Sequence, residues 1–259
     1  DRNHPDLATI AYNRGAIYEE LGQPQRALGF FREAEERMQS VSQDNPKLAN
    51  VALSRGVAYK NLGEFQKALE SYADAERRFL AVRSMPGLAM IASARGAVYD
   101  QLGQPQKALE FFAEAERRYK DVDADKAELA DIATNRATVH IHLAQPGKAL
   151  EALSEAERLY VAIDSNNPKL YGIAANRGAI YFMLGQPQKA LEFLTEAMRR
   201  LRAIDQNHPG LAVIAQNSGL AYLELGQQEK ALESFAETER RLNAIDTQNP
   251  ELWRPALGS

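Results

Sequence analysis

The sequence predicts an all-α fold, an α-solenoid of six repeated helix pairs. Six leucines, each followed by glycine or alanine, are spaced 41, 40, 41, 41 and 41 residues apart, and a fixed period of this size is typical of solenoids. They are Leu21, Leu62, Leu102, Leu143, Leu184 and Leu225. A column of small residues keeps the same phase: Gly15, Gly56, Gly96, Ala137, Gly178 and Gly219. No segment shows the two-residue alternation of a strand.

Each copy contains two predicted helices. In the first copy, residues 5–21 have apolar side chains at helical spacing, and Gly22 ends the helix because glycine adopts the left-handed cap conformation at low cost. Pro24 opens the second helix, since proline is tolerated in a first turn. Asn45 and Asn167 directly precede prolines and are good N-caps. The glycine at position 15 would let the two helices approach closely.

The same pattern divides one array, residues 1–259, into six repeats. Their approximate bounds are 5–44, 45–84, 85–125, 126–166, 167–207 and 208–248, and residues 249–259 begin a truncated seventh copy. The fourth copy has Ala144 at the cap position, where alanine is strained, so we expect that helix end to be reshaped. Neither end shows an obvious polar capping copy, which favours a segment of a larger protein.

These repeats resemble a known family. The spacing of six residues is similar to the tetratricopeptide repeat: Gly15, Tyr18, Gly22, Ala27, Phe31 and Ala34. The family's usual period is about 34 residues, so this chain has a long-period variant. The openings His4-Pro5 and His208-Pro209 are similar to the repeats of kinesin light chains. The resemblance implies a right-handed superhelix whose first helices line a concave groove for a protein or peptide.

Composition excludes several classes of protein. The chain has 31 Lys and Arg against 35 Asp and Glu, a net charge of −4, and no cysteine. Disulfide scaffolds, thiol enzymes and cysteine-ligated metal sites are therefore excluded. No stretch approaches the roughly 20 apolar residues of a membrane span, and no basic block suggests nucleic acid. We expect a cytoplasmic protein without a membrane or nucleic-acid partner.

No catalytic motif is present. The sequence has no GxSxG, no phosphate-binding glycine loop and no HExxH. His140 and His142 are two residues apart, so on a helix they do not share a face and do not form a metal site. We expect no cofactor, no metal and no enzymatic activity.

Two charged columns predict ion pairs between successive repeats. The position before the first-helix glycine holds Arg14, Arg55, Arg95, Arg136, Arg177 and Ser218, and a second-helix column holds Glu35, Glu76, Glu116, Glu157, Met198 and Glu239. Pairing each Glu with the Arg of the next copy places Met198 opposite Ser218, so both charges vanish together. Since charges in a packing seam are tolerable only when paired, we predict four pairs. The alternative is that the arginines bind an anionic ligand.

The resemblance also implies groove residues. The asparagine that often contacts a ligand backbone in this family falls at Asn13, Asn135, Asn176 and Asn217, whereas copies two and three have Ser54 and Ala94. One amide both donates and accepts, so it can hold a peptide bond regardless of sequence. The alternative is a merely exposed or cap-like polar residue.

The next inner column changes from charged to apolar along the chain. It runs Glu19, Lys60, Asp100, Ile141, Phe182 and Leu223, and Met183 and Leu220 extend its apolar end. We predict a peptide groove on copies four to six, while Tyr12, Glu19 and Asp100 make the other end mildly acidic. Alternatively, the apolar residues pack beneath a bent helix or loop.

The expected function is that of a protein- or peptide-binding scaffold. One alternative, by resemblance, is a peptide-sensing regulatory array in a multidomain signalling protein, as in peptide-pheromone receptors and CHAT-protease or STAND-type proteins. The other alternative is end-to-end self-association of the repeats.

Overall fold

A computed structural model describes residues 5–42, 45–121 and 126–248 of the chain. Within these ranges the regular structure is entirely helical. The helices are α1 (Pro5–Glu20), α2 (Pro24–Val41), α3 (Lys47–Asn61), α4 (Phe65–Ala81), α5 (Met85–Gln101), α6 (Pro105–Asp121), α7 (Lys126–His142), α8 (Pro146–Ile163), α9 (Leu170–Met183), α10 (Pro187–Ile204), α11 (Gly210–Glu224) and α12 (Gln228–Gln248). This order gives two helices per repeat, as predicted. The predicted seventh copy at 249–259 lies outside the described residues.

The first helix of each repeat ends in a left-handed residue. Five of these residues are glycines with φ between 65° and 74°: Gly22, Gly63, Gly103, Gly185 and Gly226. At Ala144 the expected reshaping is wrong, because alanine adopts the same conformation with φ of 52°. The Ala144 and Gln145 amides donate to the carbonyls of Ile141 and His140, at 2.9 and 2.8 Å. These two bonds close the same turn as in the glycine copies and hold alanine in a conformation it disfavours.

Side chains stabilise the turns that lead into several first helices. Asn45 Oδ1 accepts from the backbone amide of Lys47 at 3.0 Å, and Asn167 Oδ1 accepts from that of Lys169 at 2.9 Å. His208 occupies the same position in its repeat, and its Nδ1 accepts from the Gly210 amide at 3.0 Å. Asn45 and Asn167 were predicted as N-caps, but the N-cap positions are Pro46 and Lys169, and the asparagines bind in the turns just before them. The equivalent bond of His208 was not predicted.

The glycine column marks where paired helices touch. A Cβ added at Gly15 would lie 2.5 Å from Cε1 of Phe31, which is closer than carbon atoms can approach. Glycine on the first helix therefore makes room for a large buried side chain on the second. The predicted close approach is confirmed.

The chain divides into two compact units, Asp1–Val139 and His140–Ser259, called here the first and second units. Within each unit, helices pair and successive pairs stack, as in a solenoid. In the first unit, Met38 of α2 packs in one core cluster with Leu48 and Val51 of α3. In the second unit, Leu201 of α10 packs likewise with Leu211 of α11. Each pair thus covers the apolar face of the next.

Candidate peptide-binding face

The face formed by α9 and α11 in the second unit holds five of the ten predicted groove residues. These two first helices contact each other directly. On α11, Val213, Asn217 and Leu220 are spaced i, i+4 and i+7, so they share one face. On α9, Asn176 and Met183 are seven residues apart and also share a face. We call these residues, together with Leu223, the α9–α11 face.

Apolar side chains on this face lie open to solvent. Met183 is 58% exposed, Val213 is 57% exposed and Leu223 is 53% exposed, and Leu220 is also exposed. Directly beside Val213 in the sequence, Ile214 is fully buried in the core. Val213 was missed by the sequence analysis, although its position four residues before Asn217 places it on the same side of the helix. Exposed apolar groups on adjoining helices can bury the side chains of a ligand.

The asparagine amides are available for hydrogen bonding. Asn176 and Asn217 are half-buried, and neither side chain has a hydrogen-bond partner among the described residues. The amides of Asn13, which is exposed, and of Asn135, which is half-buried, also have no hydrogen-bond partner within the described ranges. A half-buried amide without an internal partner can both donate to and accept from a peptide backbone.

Phe182 and Ile141 are less open than the other apolar groove residues. Phe182 is half-buried and packs against the core cluster that contains Leu194 and Leu201. Phe182 therefore contributes to the core of the second unit, and only part of its side chain reaches the surface. Ile141 is also half-buried, in the last turn of α7. The division between the units falls within α7, so Ile141 belongs to the second unit and Asn135 to the first.

Tyr12 and Asn13 lie in a separate pocket in the first unit. The pocket has a volume of about 230 Å³, and its lining residues are Thr9, Tyr12, Asn13, Met38, Lys47 and Asn50. The Tyr12 hydroxyl lies 3.2 Å from Ser54 Oγ, and its ring centroid lies 5.8 Å from that of Phe31. Tyr12 is thus tied into the stack between the first two repeats, while Asn13 keeps an open amide.

The charged inner residues of the first unit interact with one another. Asn61 Nδ2 donates to Glu19 Oε1. Burial lowers the pKa of Lys60, and the nearby Glu19 carboxylate partly offsets this effect. Burial also raises the pKa of Tyr72, with the Glu19 charge adding to the shift. The Glu19 Oε2 atom and the Tyr72 hydroxyl are buried without a hydrogen-bond partner among the described residues, so this polar cluster is only partly satisfied.

The structure brings together all four predicted Glu–Arg pairs between successive repeats. They are Arg55–Glu35, Arg95–Glu76 at 2.7 Å, Arg136–Glu116 at 3.0 Å and Arg177–Glu157 at 2.7 Å. Most of these side chains are partly exposed, so the pairs lie at the edge of the seams and not deep within them. The expected cost of breaking one is correspondingly smaller than for a fully buried pair.

The arginines also contact aromatic rings, which the sequence analysis missed. The Arg95 guanidinium lies 5.9 Å from the centroid of Phe111, whose ring stacks on Tyr99 at 5.2 Å. On the Tyr99 side of this stack, Lys107 Nζ lies 3.9 Å from the centroid of the Tyr99 ring. Similar stacks occur around Phe30 and Phe193. Ion pairs and cation–π contacts together favour a structural role for the arginine column over anion binding.

Other kinds of site find little support in the described part of the chain. There, no group of three or more His, Asp or Glu side chains could hold a metal ion. His140 is buried and its Nδ1 lies 3.0 Å from Gln145 Oε1, whereas His142 is exposed. None of the helices in the described ranges has the length and apolar composition that a bilayer crossing requires.

Comparison with known proteins identifies the family. Residues 47–121 and 170–244 match the sequence pattern of the tetratricopeptide repeat, and together they cover more than half of the chain. The chain belongs to the tetratricopeptide repeat family. No curated protein sequence matches it.

Solved structures with the same tetratricopeptide repeat fold have low sequence identity to the chain. BtubC (BKLC) from P. vanneervenii has a TM-score of 0.71 at 20% identity, over 91% of this chain and 95% of that one. Apo RapI has a TM-score of 0.71 at 12% identity, over 93% and 85%. The Rap conjugation gene regulator of plasmid pLS20, solved with the Phr* peptide, has a TM-score of 0.64 at 16% identity, over 97% and 76%. At these identities the likeness shows the fold alone.

Proposed function

We propose that this tetratricopeptide repeat chain is a peptide-binding scaffold whose α9–α11 face holds an extended peptide. One observation carries the proposal: two half-buried asparagines without internal partners lie among exposed apolar side chains on adjoining helices. The Asn176 and Asn217 amides would bind the peptide main chain. Met183, Val213 and Leu223 would bury its apolar side chains. This is a binding function without a catalytic step.

A structural relative supports a peptide as the ligand. The Rap conjugation gene regulator shares the fold and was solved in complex with the Phr* peptide. A helical repeat of this kind can therefore accommodate a peptide. The particular face and the peptide sequence preferred by the present chain are our proposal.

Synthetic peptides that alternate aliphatic and serine residues provide the probe. Fluorescence anisotropy would measure their affinity for the full chain and for the double variant Asn176→Ala/Asn217→Ala. We expect at least about a tenfold loss of affinity, because two backbone-binding amides are removed. Asn13→Ala is the matched control from the same column in the first unit, and it should bind like the original chain. Equal loss in both variants, or in neither, would contradict the assignment.

The apolar half of the site has its own test. Met183→Ala and Leu223→Ala should each weaken binding of the aliphatic peptides, while Val161→Ala, an exposed residue on α8, should not. Melting temperatures should stay close to the original, since all three side chains are exposed. The peptide-sensing alternative uses the same face and adds a change in repeat packing on binding, which small-angle scattering with and without peptide would detect.

A further inference from the structure

Helices α9 and α11 carry very few charged residues. They are Arg177 on α9 and Glu224 on α11. Arg177 pairs with Glu157 of α8 at 2.7 Å, so its charge is used between repeats. Glu224 is exposed and has no hydrogen-bond or ion-pair partner among the described residues. Its carboxylate is therefore open to a ligand.

Glu224 lies on the same side of α11 as the residues of the proposed site. One stripe along this helix, at spacing i, i+4, i+7 and i+11, contains Val213, Asn217, Leu220 and Glu224. The stripe is about 16 Å long at 1.5 Å per residue, and an extended peptide of about five residues spans that length. Glu224 is the last residue of α11, so a peptide along the stripe would reach the carboxylate with one of its ends.

Contacts in the first unit indicate which residue of α9 lies beside Glu224. Two side-chain contacts join the first helices α1 and α3 there. The Tyr12 hydroxyl lies 3.2 Å from Ser54 Oγ, and Asn61 Nδ2 donates to Glu19 Oε1. In both pairs, the residue on α3 comes 42 positions after the residue on α1.

Helices α9 and α11 are likewise the first helices of successive repeats, and they contact each other directly. The residue 42 positions before Glu224 is Phe182, near the end of α9. The repeat register therefore places the Glu224 carboxylate beside the Phe182 ring, which is half-buried. Both helices are described from end to end, so this seam is internal to the second unit and not an end of the sequence.

A carboxylate beside an aromatic ring suits a basic side chain. A guanidinium group can form two parallel hydrogen bonds to a carboxylate, and it is attracted to the face of an aromatic ring. The chain already contains this combination, because the Arg177 guanidinium lies 5.6 Å from the centroid of Phe193 and also pairs with Glu157. Glu224 and Phe182 provide the same two kinds of group on the α9–α11 face.

We propose that the peptide on the α9–α11 face carries a basic side chain at one end, arginine before lysine, which pairs with Glu224 beside Phe182. This inference rests on the proposed function and adds the chemical class of the ligand. The asparagines and the apolar residues would hold any extended aliphatic peptide, whereas Glu224 selects among such peptides by charge. Since Glu224 ends α11, the position of the basic residue also fixes the direction of the peptide.

Peptides that differ in one residue test the charge preference. The alternating aliphatic and serine peptides receive arginine, glutamine or glutamate at one end or at the other, and both termini are uncharged. Fluorescence anisotropy with the full chain should show that arginine at one of the two ends binds about fivefold more tightly than glutamine. Glutamate at that end should bind more weakly than glutamine. The advantage of arginine should shrink in high salt, because salt screens an exposed ion pair.

Variants of the chain locate the preference. Glu224→Gln should remove the advantage of arginine, and Glu224→Lys should reverse it in favour of glutamate. Glu20→Gln is the matched control, because Glu20 is also exposed, ends α1 in the same column of the first unit and changes the net charge equally. This control should keep the full preference for arginine.

The failure of this inference can be told apart from the failure of the proposed function. If the peptides bind but arginine gives no advantage at either end, the basic-peptide preference is overturned and the peptide-binding function stands. The same conclusion follows if Glu20→Gln and Glu224→Gln reduce the advantage equally, because the overall charge and not Glu224 would then cause it. If none of the peptides binds, the proposed function fails and this inference fails with it.

Discussion

The two units use the same inner column in opposite ways. In the first unit the column holds Glu19, Lys60 and Asp100, and in the second unit Phe182 and Leu223 take these positions. The buried columns do not change in this way, because small and apolar residues recur there in every repeat. Inner-face positions contact solvent, so their chemistry can change without disturbing the stack. Differences in binding between repeats are therefore expected to lie in this column.

The polar inner face of the first unit is partly satisfied internally, since Glu19 Oε2 and the Tyr72 hydroxyl have no hydrogen-bond partner among the described residues. Glu19 accepts from Asn61, and its charge influences both Lys60 and Tyr72. In the second unit, by contrast, Met183 and Leu223 are apolar side chains that are exposed to solvent. Covering an exposed apolar surface lowers the free energy, whereas covering charged groups costs desolvation. This contrast is our reason for proposing the peptide site on the second unit.

The largest expected effect concerns the glycine column, which both units share. A Cβ at Gly96 would lie 2.7 Å from a ring carbon of Phe112, and a Cβ at Gly178 would lie 2.6 Å from Cγ of Leu194. The Phe112 ring is rigid and buried; Leu194 is fully buried as well, and a Cβ at Gly178 would also lie 3.2 Å from the backbone oxygen of Ala190. We expect Gly96→Ala to lower the free energy of unfolding by about 2 kcal/mol and Gly178→Ala by about 1–2 kcal/mol. Urea unfolding followed by circular dichroism measures both.

A helical glycine without neighbours provides the control for that pair. Nothing lies within 4 Å of a Cβ added at Gly29 on α2. Gly29→Ala should therefore stabilise the protein by about 0.5–1 kcal/mol through helix propensity alone. If Gly96→Ala were as harmless as Gly29→Ala, the packing explanation of the column would be wrong.

The second prediction compares one ion pair from each unit. Double-mutant cycles on Glu76/Arg95 and on Glu157/Arg177 should give coupling energies of about 1 and about 0.5 kcal/mol. The second value is smaller because Glu157 is the more exposed carboxylate and Arg177 has a second partner, Ser154 Oγ, at 3.1 Å. Both couplings should fall in high salt. Coupling near zero in the first cycle would remove the pair as a stabilising contact.

Much of the fold was predictable because the same pattern of small and apolar residues recurs six times along the chain. Each structural column could be checked against five other copies, which made the helix pairs, the glycine caps and the Glu–Arg pairing readable. The vanishing of both charges at Met198 and Ser218 was the decisive clue to the pairing. The turn bond of His208 was missed because histidine rarely accepts such a bond, although its column holds Asn45 and Asn167.

The candidate site was harder to predict. A repeat column shows which way a side chain faces but not how far neighbouring helices cover it. Phe182 and Leu223 share a column, yet one is half-buried against the core and the other is open. Val213 was missed because nothing in its column suggests a site. The exposure of a side chain depends on how closely two helices approach each other, and this distance is known only from the three-dimensional structure.

The smallest expected effect concerns two non-glycine residues that adopt a left-handed conformation in the described part of the chain, one in each unit. Arg83 has φ of 53° at the end of α4, and Ala144 has φ of 52° at the end of α7. Glycine would relieve the clash of Cβ with the backbone, while it increases the entropy of the unfolded chain. We expect Ala144→Gly and Arg83→Gly each to raise the free energy of unfolding by about 0.5 kcal/mol. Gly103→Ala, at the corresponding cap with φ of 68°, should lower it by about 1 kcal/mol. Urea unfolding of the three variants measures these changes, and a destabilising Ala144→Gly would mean that this cap carries no strain.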